Sequence, residues 1–359
     1  SMQLYNTLSN IERAELIQKA GKDRLTISFY KYSKIGNTEL LRNHLFLFWD
    51  SIDVLGRIYI AHEGINAQLS VPADNFEAFK NHLDTIVFLE NVRINIAIEH
   101  DLFSFLKLKV KVRDKIVSDG LSDETFDASN RGIHVNASEF NALIEDENAV
   151  VVDMRNHYES EIGHFKNAIT PDVDTFRESL DLIEEDLKDY KESKKLVMYC
   201  TGGIRCEKAS AYYKHKGFKN VYQLEGGIIN YARQAAELGV ENKFIGKNFV
   251  FDQRRAEKIS EDVIANCHQC GEPADIHVNC ANAACHLLFI QCDTCKEAME
   301  NCCSTNCMEV NRLPPEAQKE LRKGQGNSND IFKKGRADHL PYKKDLRNIF
   351  ETLAKPKHS

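Results

Sequence analysis

Leu196-Val-Met-Tyr-Cys200-Thr-Gly-Gly-Ile-Arg205-Cys206-Glu-Lys208 is the stretch on which the fold turns. The apolar run before Cys200 reads as a buried strand, and Ala209, Ser210 and Ala211 continue the stretch as helix formers. A strand that ends in a loop and passes straight into a helix delivers that loop to the carboxyl edge of a parallel sheet, where ligands bind. Gly202 and Gly203 let the backbone curl so that N–H groups can point at the Cys200 sulfur. Those donors, the helix N-terminus and Arg205 all favour an anion, which lowers a thiol pKa and makes Cys200 a thiolate nucleophile. Cys200 and Arg205 are therefore the candidate catalytic residues, held in a loop of Thr201, Gly202, Gly203 and Ile204. The same cradle suits a persulfide, an oxyanion or a phosphate. Cys206, in the first helical turn, has two readings: a disulfide partner that resolves an oxidised or persulfidated Cys200, or a buried helix residue.

Around this loop the αβ pattern repeats. Val150 to Met154, Lys195 to Tyr199 and Asn220 to Gln223 read as short buried strands, each followed by loop and helix signals. Strands alternating with helices mean a parallel sheet covered on both faces. Residues 130–235 resemble a rhodanese domain through Val-Val-Asp153-Met-Arg155, Tyr158-Glu159, Gly163-His164, Ala168, the Cys200-x-x-Gly203-x-Arg205 loop and Leu224-Glu225-Gly226-Gly227. The six residues from Cys200 to Arg205 match the shorter loop of sulfurtransferases; related phosphatases have one more. The resemblance places Asp153 and Arg155 beside the loop as a supporting pair, with Glu159 and His164 structural.

Upstream, Thr26 to Tyr32 is a strand and Thr38 to Trp49 a helix. Arg57 to Ala61 and Ile65 to Val71 form two strands joined by His62-Glu63-Gly64. A helix runs from Asp74, its expected cap, to about Leu83, and a last strand covers Leu106 to Ile116. The order β-α-β-β-α-β predicts a ferredoxin-like α+β domain. In its last strand Lys107, Lys109, Lys111 and Arg113 alternate with aliphatics, so period two puts four cations on one face. Such a ridge is either a solvated edge or a track for a phosphate backbone.

Eleven cysteines are present, nine of them between Cys267 and Cys307. In a reducing compartment, CxxC pairs point to metal rather than disulfides. Cys267, Cys270, Cys280, Cys285, Cys292, Cys295, Cys303 and Cys307 would supply two sites of four thiolates each, for about two zinc ions. The spacing does not say which thiols share an ion. Cys303 is chosen over Cys302 for its tighter spacing to Cys307, and His268, His277 and His286 are substitute ligands. An iron–sulfur cluster is the rival occupant.

The division expected is 1–119 ferredoxin-like, 120–246 rhodanese-like, 247–310 cysteine-rich and metal-binding, and 311–359 a basic, partly flexible tail, with little apolar content between Lys323 and Asp338. A net charge of −7 argues against wholesale electrostatic capture of nucleic acid, but Arg312 to Lys357 carries 12 Lys or Arg against 6 Asp or Glu. No apolar stretch is long enough to span a membrane, Ser1 before Met2 reads as a cloning remnant, and no signal peptide follows it; the expected location is cytoplasmic. No haem motif and no dinucleotide fingerprint for NAD or flavin is present.

The order of parts carries a wider resemblance. Gly56-Arg-Ile-Tyr-Ile-Ala-His-Glu-Gly-Ile-Asn66, the Cys200 to Lys208 loop and Cys292-x2-Cys295 together resemble the bacterial tRNA uridine(34) hydroxylase family, to about residue 310. That resemblance implies oxygen-dependent conversion of the tRNA wobble uridine to 5-hydroxyuridine, with the loop cysteine essential, tRNA as partner and an unknown electron donor. Cys200 could add to C6 of uracil or carry an oxidised or persulfidic sulfur. Two other classes stand beside it: a sulfurtransferase carrying a cysteine persulfide, and a non-catalytic RNA-binding or zinc-scaffold protein.

Overall fold

The computed structural model describes residues 8–121, 126–323 and 337–343. The expectations for Ser1 and for most of the basic tail lie outside these residues, as does most of the segment from Lys323 to Asp338.

The N-terminal part begins with a helix that the spacing upstream of Thr26 did not announce, α1 (Asn10–Ala20), closed by a capping box between Ser9 and Glu12. Then follow β1 (Arg24–Tyr32), α2 (Thr38–Ser51), β2 (Leu55–Ala61), β3 (Gly64–Pro72), α3 (Phe76–Asp84), β4 (Asn95–Ile96) and β5 (Leu108–Val112). The sheet order is β4-β1-β3-β2-β5. The ferredoxin-like class holds, but its fourth strand is β4, antiparallel to β1, and not the segment from Leu106 to Ile116. That segment narrows to β5, a fifth strand on the opposite edge, parallel to β2. The signal for β4 was the alternation Val92, Ile94, Ile96, whose side chains pack against the core. Asp74 does not cap α3; it sits inside a 3₁₀ turn, Ala73–Asn75, that precedes the helix. Phe29, Trp49 and Phe79 centre the core between the sheet and its helices.

The central part runs β6 (Ile133–Val135), α4 (Ala137–Glu145), β7 (Ala149–Asp153), α5 (His157–Ser160), β8 (Gly163–Phe165), α6 (Phe176–Asp186), β9 (Lys195–Tyr199), α7 (Ile204–His215), β10 (Asn220–Leu224) and α8 (Gly227–Leu238). β6, β10, β9 and β7 form a parallel sheet in that order. Alternate side chains feed two cores. Val150, Val152, Leu196 and Met198 pack against α6 and α7, whereas Val151, Val197 and Tyr199 pack against α4 and α8. Burial on both faces is why these strands are continuously apolar.

β11 (Phe244–Phe249) pairs with β8 on one side and with β12 (Ala256–Lys258) on the other. Residue 246, where the sequence division falls, therefore lies within a strand: Gly246 pairs with Gly163 and stitches the last segment to the central part. A hairpin of β13 (His277–Asn279) and β14 (Leu288–Ile290), then helices α9 (Asp293–Ala298), α10 (Thr305–Asn311) and α11 (Pro315–Arg322), complete the described chain. Among the described residues, no helix is long and apolar enough to cross a membrane.

Candidate active site

β9 ends at Tyr199 and α7 starts at Ile204, so the loop from Cys200 to Gly203 lies at the carboxyl edge of the parallel sheet. Gly203 caps α7 with φ +101°, a conformation that favours glycine, and a Cβ there would stand 2.9 Å from the Tyr30 hydroxyl. The loop is held from behind by α8, where Ile228 N–H donates to Cys200 O at 3.0 Å and Ile229 N–H to Thr201 O at 3.2 Å. Gly227 is required for that approach, since a Cβ would lie 2.6 Å from Cys200 O.

Cys200 is fully buried, and its sulfur accepts the Gly203 N–H at 3.1 Å. Burial alone would raise its pKa. A hydrogen bond from the Cys206 thiol, the charge of Arg205 and the N–H groups of Cys206 and Gly203 outweigh it and bring the thiol down to about 6. Cys206 goes the other way: burial and the neighbouring Cys200 charge push it well up, leaving a neutral thiol against a thiolate. Arg205 is a bidentate partner of Glu159, with Nη1 to Oε2 at 2.8 Å and Nη2 to Oε1 at 2.9 Å. The fully buried Glu159 carboxylate thus fixes the guanidinium beside the loop. Asp153 and Arg155 are also fully buried. Arg155 Nε and Nη2 donate to the two Asp153 oxygens at 2.9 and 2.7 Å, and the Tyr199 hydroxyl donates to Asp153 at 2.7 Å. This pair braces the end of β9. The His164 ring engages Phe165 O at 2.9 Å within β8.

The loop faces the N-terminal sheet, a relation no sequence spacing announced. The Tyr30 hydroxyl donates to Glu207 Oε1 at 2.9 Å, and the Tyr32 hydroxyl to Ile204 O at 3.2 Å. Glu207 also meets His134 at 2.9 Å and Arg131 at 3.0 Å. Lys208 is buried between Glu63 (2.7 Å) and Asp119 (3.1 Å). Tyr30 and Tyr32 were legible as outward residues of an alternating strand, but not as a cover for a loop far along the chain.

Strand register lines up the outward residues. Asn95, Ser28, Gln68, Arg57 and Lys109 form one row across all five strands, and Tyr30, Asn66, Tyr59 and Lys111 form the next. Four strand spacings make the first row about 19 Å long. At one end the buried Asn95 has its amide nitrogen 3.8 Å from where a Gly202 Cβ would be. At the other, Arg57 joins the Lys107, Lys109, Lys111 and Arg113 ridge, and Arg113 stacks 3.8 Å over the Tyr59 ring. Partial burial and the charges of Lys107, Lys111 and Arg57 lower the Lys109 pKa. Nothing in the sequence ties Arg57 and Tyr59 to the ridge, because only pairing to β5 brings them there.

The eight chosen cysteines gather into two groups. Cys267, Cys270, Cys292 and Cys295 form one, and Cys280, Cys285, Cys303 and Cys307 the other, with the sulfurs of each within 4.8 Å of one another. The first and third pairs thus share a site, and the second and fourth share the other. Sulfur pairs at 3.6, 3.7 and 3.8 Å fit a tetrahedral ion with bonds of about 2.3 Å to sulfur, for which the edge is about 3.8 Å. Neither group includes Cys302 or a histidine. The ring nitrogens of His268 are committed to Glu161 at 2.8 Å and Ile290 N–H at 3.2 Å. His277 is buried against Phe249, and His286 is exposed.

The fold and the cysteine loop define a rhodanese-like protein carrying an acylphosphatase-like N-terminal domain and a cysteine-rich C-terminal segment. Three family models match in that order: the UPF0176 acylphosphatase like domain over residues 24–116, the rhodanese-like domain over 136–234, and the rhodanese C-terminal segment over 245–308. The chain belongs to the tRNA uridine(34) hydroxylase family. It is 53% identical to the tRNA uridine(34) hydroxylase of Leptospira interrogans, over 92% of this chain and 90% of that one. It is 52% identical to that of Enterobacter sp. (strain 638) and 53% identical to that of Cronobacter sakazakii, each over 93% of this chain and 95% of the relative.

Proposed function

We propose that this chain hydroxylates the wobble uridine of tRNA at C5, with dioxygen as co-substrate and Cys200 as the nucleophile. The observation that carries the reading is the buried Cys200 sulfur, accepting the Gly203 N–H in a loop set against a polar sheet face that leads to a cationic edge, in a chain of this family. A thiolate that adds to C6 of uracil makes C5 electron-rich and able to meet dioxygen. Arg205, fixed by Glu159, and the N–H groups of Gly203 and Cys206 keep the sulfur anionic; Asp153 and Arg155 keep the loop in place.

The tRNA is held by its phosphates along Lys107, Lys109, Lys111 and Arg113, extended inward by Arg57. The polar row from Lys109 to Asn95 carries the strand toward the loop. The four units divide the labour: residues 1–119 bind, 120–246 react, 247–310 hold two zinc ions in all-thiolate sites that stabilise the fold, and 311–359 form the basic tail. Zinc has no redox chemistry, so no electron passes through these sites. The protein works in the cytoplasm, where its tRNA substrate and reduced thiols are found.

The test is nucleoside mass spectrometry on tRNA from a deletion strain carrying wild type or Cys200→Ser. Wild type should restore 5-hydroxyuridine at position 34 and the variant should not. Wild-type levels from Cys200→Ser would sink the reading. The loop length shared with sulfurtransferases favours one alternative, a Cys200 persulfide carrier; thiosulfate-dependent sulfur transfer by the purified protein would support it.

A further inference from the structure

The polar row of the N-terminal sheet ends in side chains that have no partner. Asn95 is buried, yet neither its amide nor the side chains of Ser28 and Gln68 in the same row make a hydrogen bond among the described residues. Polar groups shut away in a folded protein are satisfied with few exceptions, so an unmated amide points to something the fold receives. The three side chains line a narrow cleft of about 380 Å³, its solvent-open side included. Thr201 of the cysteine loop, Ile229 of α8 and Phe251 line it too.

Phe251 follows β11 in a turn that is tied down at several points. Arg254 donates from Nε and Nη2 to the two Asp252 oxygens at 2.8 and 2.6 Å, and from Nη1 to Glu257 at 2.9 Å. The Gln253 N–H donates to Ser104 O at 2.9 Å, and Arg254 Nη1 to Glu99 O at 2.7 Å, which fastens the turn to the N-terminal part. Arg254 and Asp252, the charged residues of the lining, thus satisfy each other. What remains for recognition is two amides, a hydroxyl and an aromatic ring. The cleft also adjoins the reacting loop. Thr201 directly follows Cys200, and the Phe251 ring centroid lies 6.0 Å from the Arg205 guanidinium carbon.

We infer that this cleft is the seat of the wobble uracil, with the Asn95 amide hydrogen-bonded to the edge of the base and the Phe251 ring against its face. The inference rests on the reading of this chain as a tRNA uridine hydroxylase, and it names the residues that hold the base. The uracil edge carries an N–H donor between two carbonyl acceptors. An amide offers an acceptor and a donor side by side, so Asn95 can take N3–H and one carbonyl at once. A slot without free charge suits this neutral ring. A phosphate has no counterpart there, because Arg254 is already committed to Asp252 and Glu257. Bases in single-stranded loops splay out readily and are held by aromatic stacking and hydrogen bonds to their edges. The sheet row then divides its work: cations at the Lys109 end meet the backbone, and amides at the Asn95 end meet the base.

The experiment titrates the full chain with two anticodon stem-loop RNAs, one carrying uridine at position 34 and one abasic there. Wild type should bind the uridine form about tenfold more tightly or better, from stacking and hydrogen bonding together. Asn95→Leu removes the amide at similar size, and Asn95→Ala does so where the branched side chain cannot be seated. Each should shrink the ratio by roughly three- to tenfold, weakening the uridine form and leaving the abasic form unchanged. Phe251→Ala should shrink it about fivefold or more. Equal binding of the two RNAs by wild type, or a wild-type ratio from a folded Asn95 variant, would overturn the cleft assignment. The hydroxylase reading would survive that result if the wild-type chain still restores 5-hydroxyuridine in cells. A ratio that falls as expected in the variants, from a chain that restores no 5-hydroxyuridine, would keep the cleft as a uridine site and remove the hydroxylase reading.

Discussion

The Tyr30 hydroxyl, on the second-from-edge strand of the N-terminal sheet, donates to Glu207 at 2.9 Å, one turn into the helix that begins at the cysteine loop. Burial, then the Glu207 and Cys200 charges, keep this phenol protonated and a donor. The hydrogen bond makes the N-terminal sheet one wall beside the cysteine loop. Tyr30→Phe should leave the fold intact and loosen the wall. The measurement is iodoacetamide alkylation of Cys200, expected to accelerate severalfold; an unchanged rate would show that the sheet does not gate access.

Cys200 should alkylate with a midpoint near pH 6, because its folded pKa lies at about 6 rather than its ordinary 9.0. The sign is that reactivity is full above this point and falls away as pH drops through it. Arg205→Gln removes the nearby positive charge and should move the midpoint up. A wild-type midpoint at or above the free-thiol value of about 8.5 would remove the activation argument.

Arg205→Gln should also be costly for stability, because Glu159 would remain fully buried without its cation. A decrease of roughly 3–5 kcal/mol is the usual cost of stranding one member of a buried pair. The double variant Arg205→Gln with Glu159→Gln should recover part of it in urea unfolding, since neither charge is then left alone. An unaltered single variant would mean that the pair is solvated.

Lys208→Met should destabilise the junction between the N-terminal and central parts, removing the buried cation that Glu63 and Asp119 share. Burial works to raise the Asp119 pKa, but Lys115, the Leu121 N–H and Lys208 together hold it below the ordinary carboxylate value. Its contribution to stability is therefore full above that ordinary pKa and disappears as pH falls through the lowered one. Acid unfolding followed by tryptophan fluorescence, from the buried Trp49, should begin at higher pH in the variant.

Neutralising Arg57, Lys109, Lys111 and Arg113 should weaken tRNA binding and flatten its salt dependence. The log–log slope should shrink by about 0.7–0.9 for each cation–phosphate pairing removed. Cys200→Ser should bind with wild-type affinity. Titrations at several salt concentrations decide it, and an unaffected four-cation variant would reduce the ridge to a solvated edge.

Elemental analysis should find about two zinc ions per chain. Cys267→Ser and Cys280→Ser should each lose one ion and keep the other, because these residues belong to separate four-sulfur groups. Iron in a brown protein, or release of both ions from either variant, would overturn the assignment.

Much of this protein was legible in its residues one after another. The buried strand into Cys200, the paired glycines and Arg205 announce an anion-stabilising loop, because backbone curl and helix polarity are local properties. Period two separated the lysines of β5 from its aliphatics, and CxxC spacing announced metal. What lay beyond the sequence was every relation that needs two distant segments to meet. The pairing of β4 with β1, and of β5 with β2, was hidden because alternation marks a strand but does not name the sheet edge it completes. Eight cysteines allow many partitions, and only the packing of the β13–β14 hairpin between the flanking pairs decides that they interleave. Glu159 was legible only as a structural residue of the rhodanese resemblance, and Tyr30 only as part of a strand. They act on the site because the chain folds one against Arg205 and the other against Glu207, where burial turns an ordinary ion pair and an ordinary hydrogen bond into fixed parts of the cysteine's surroundings.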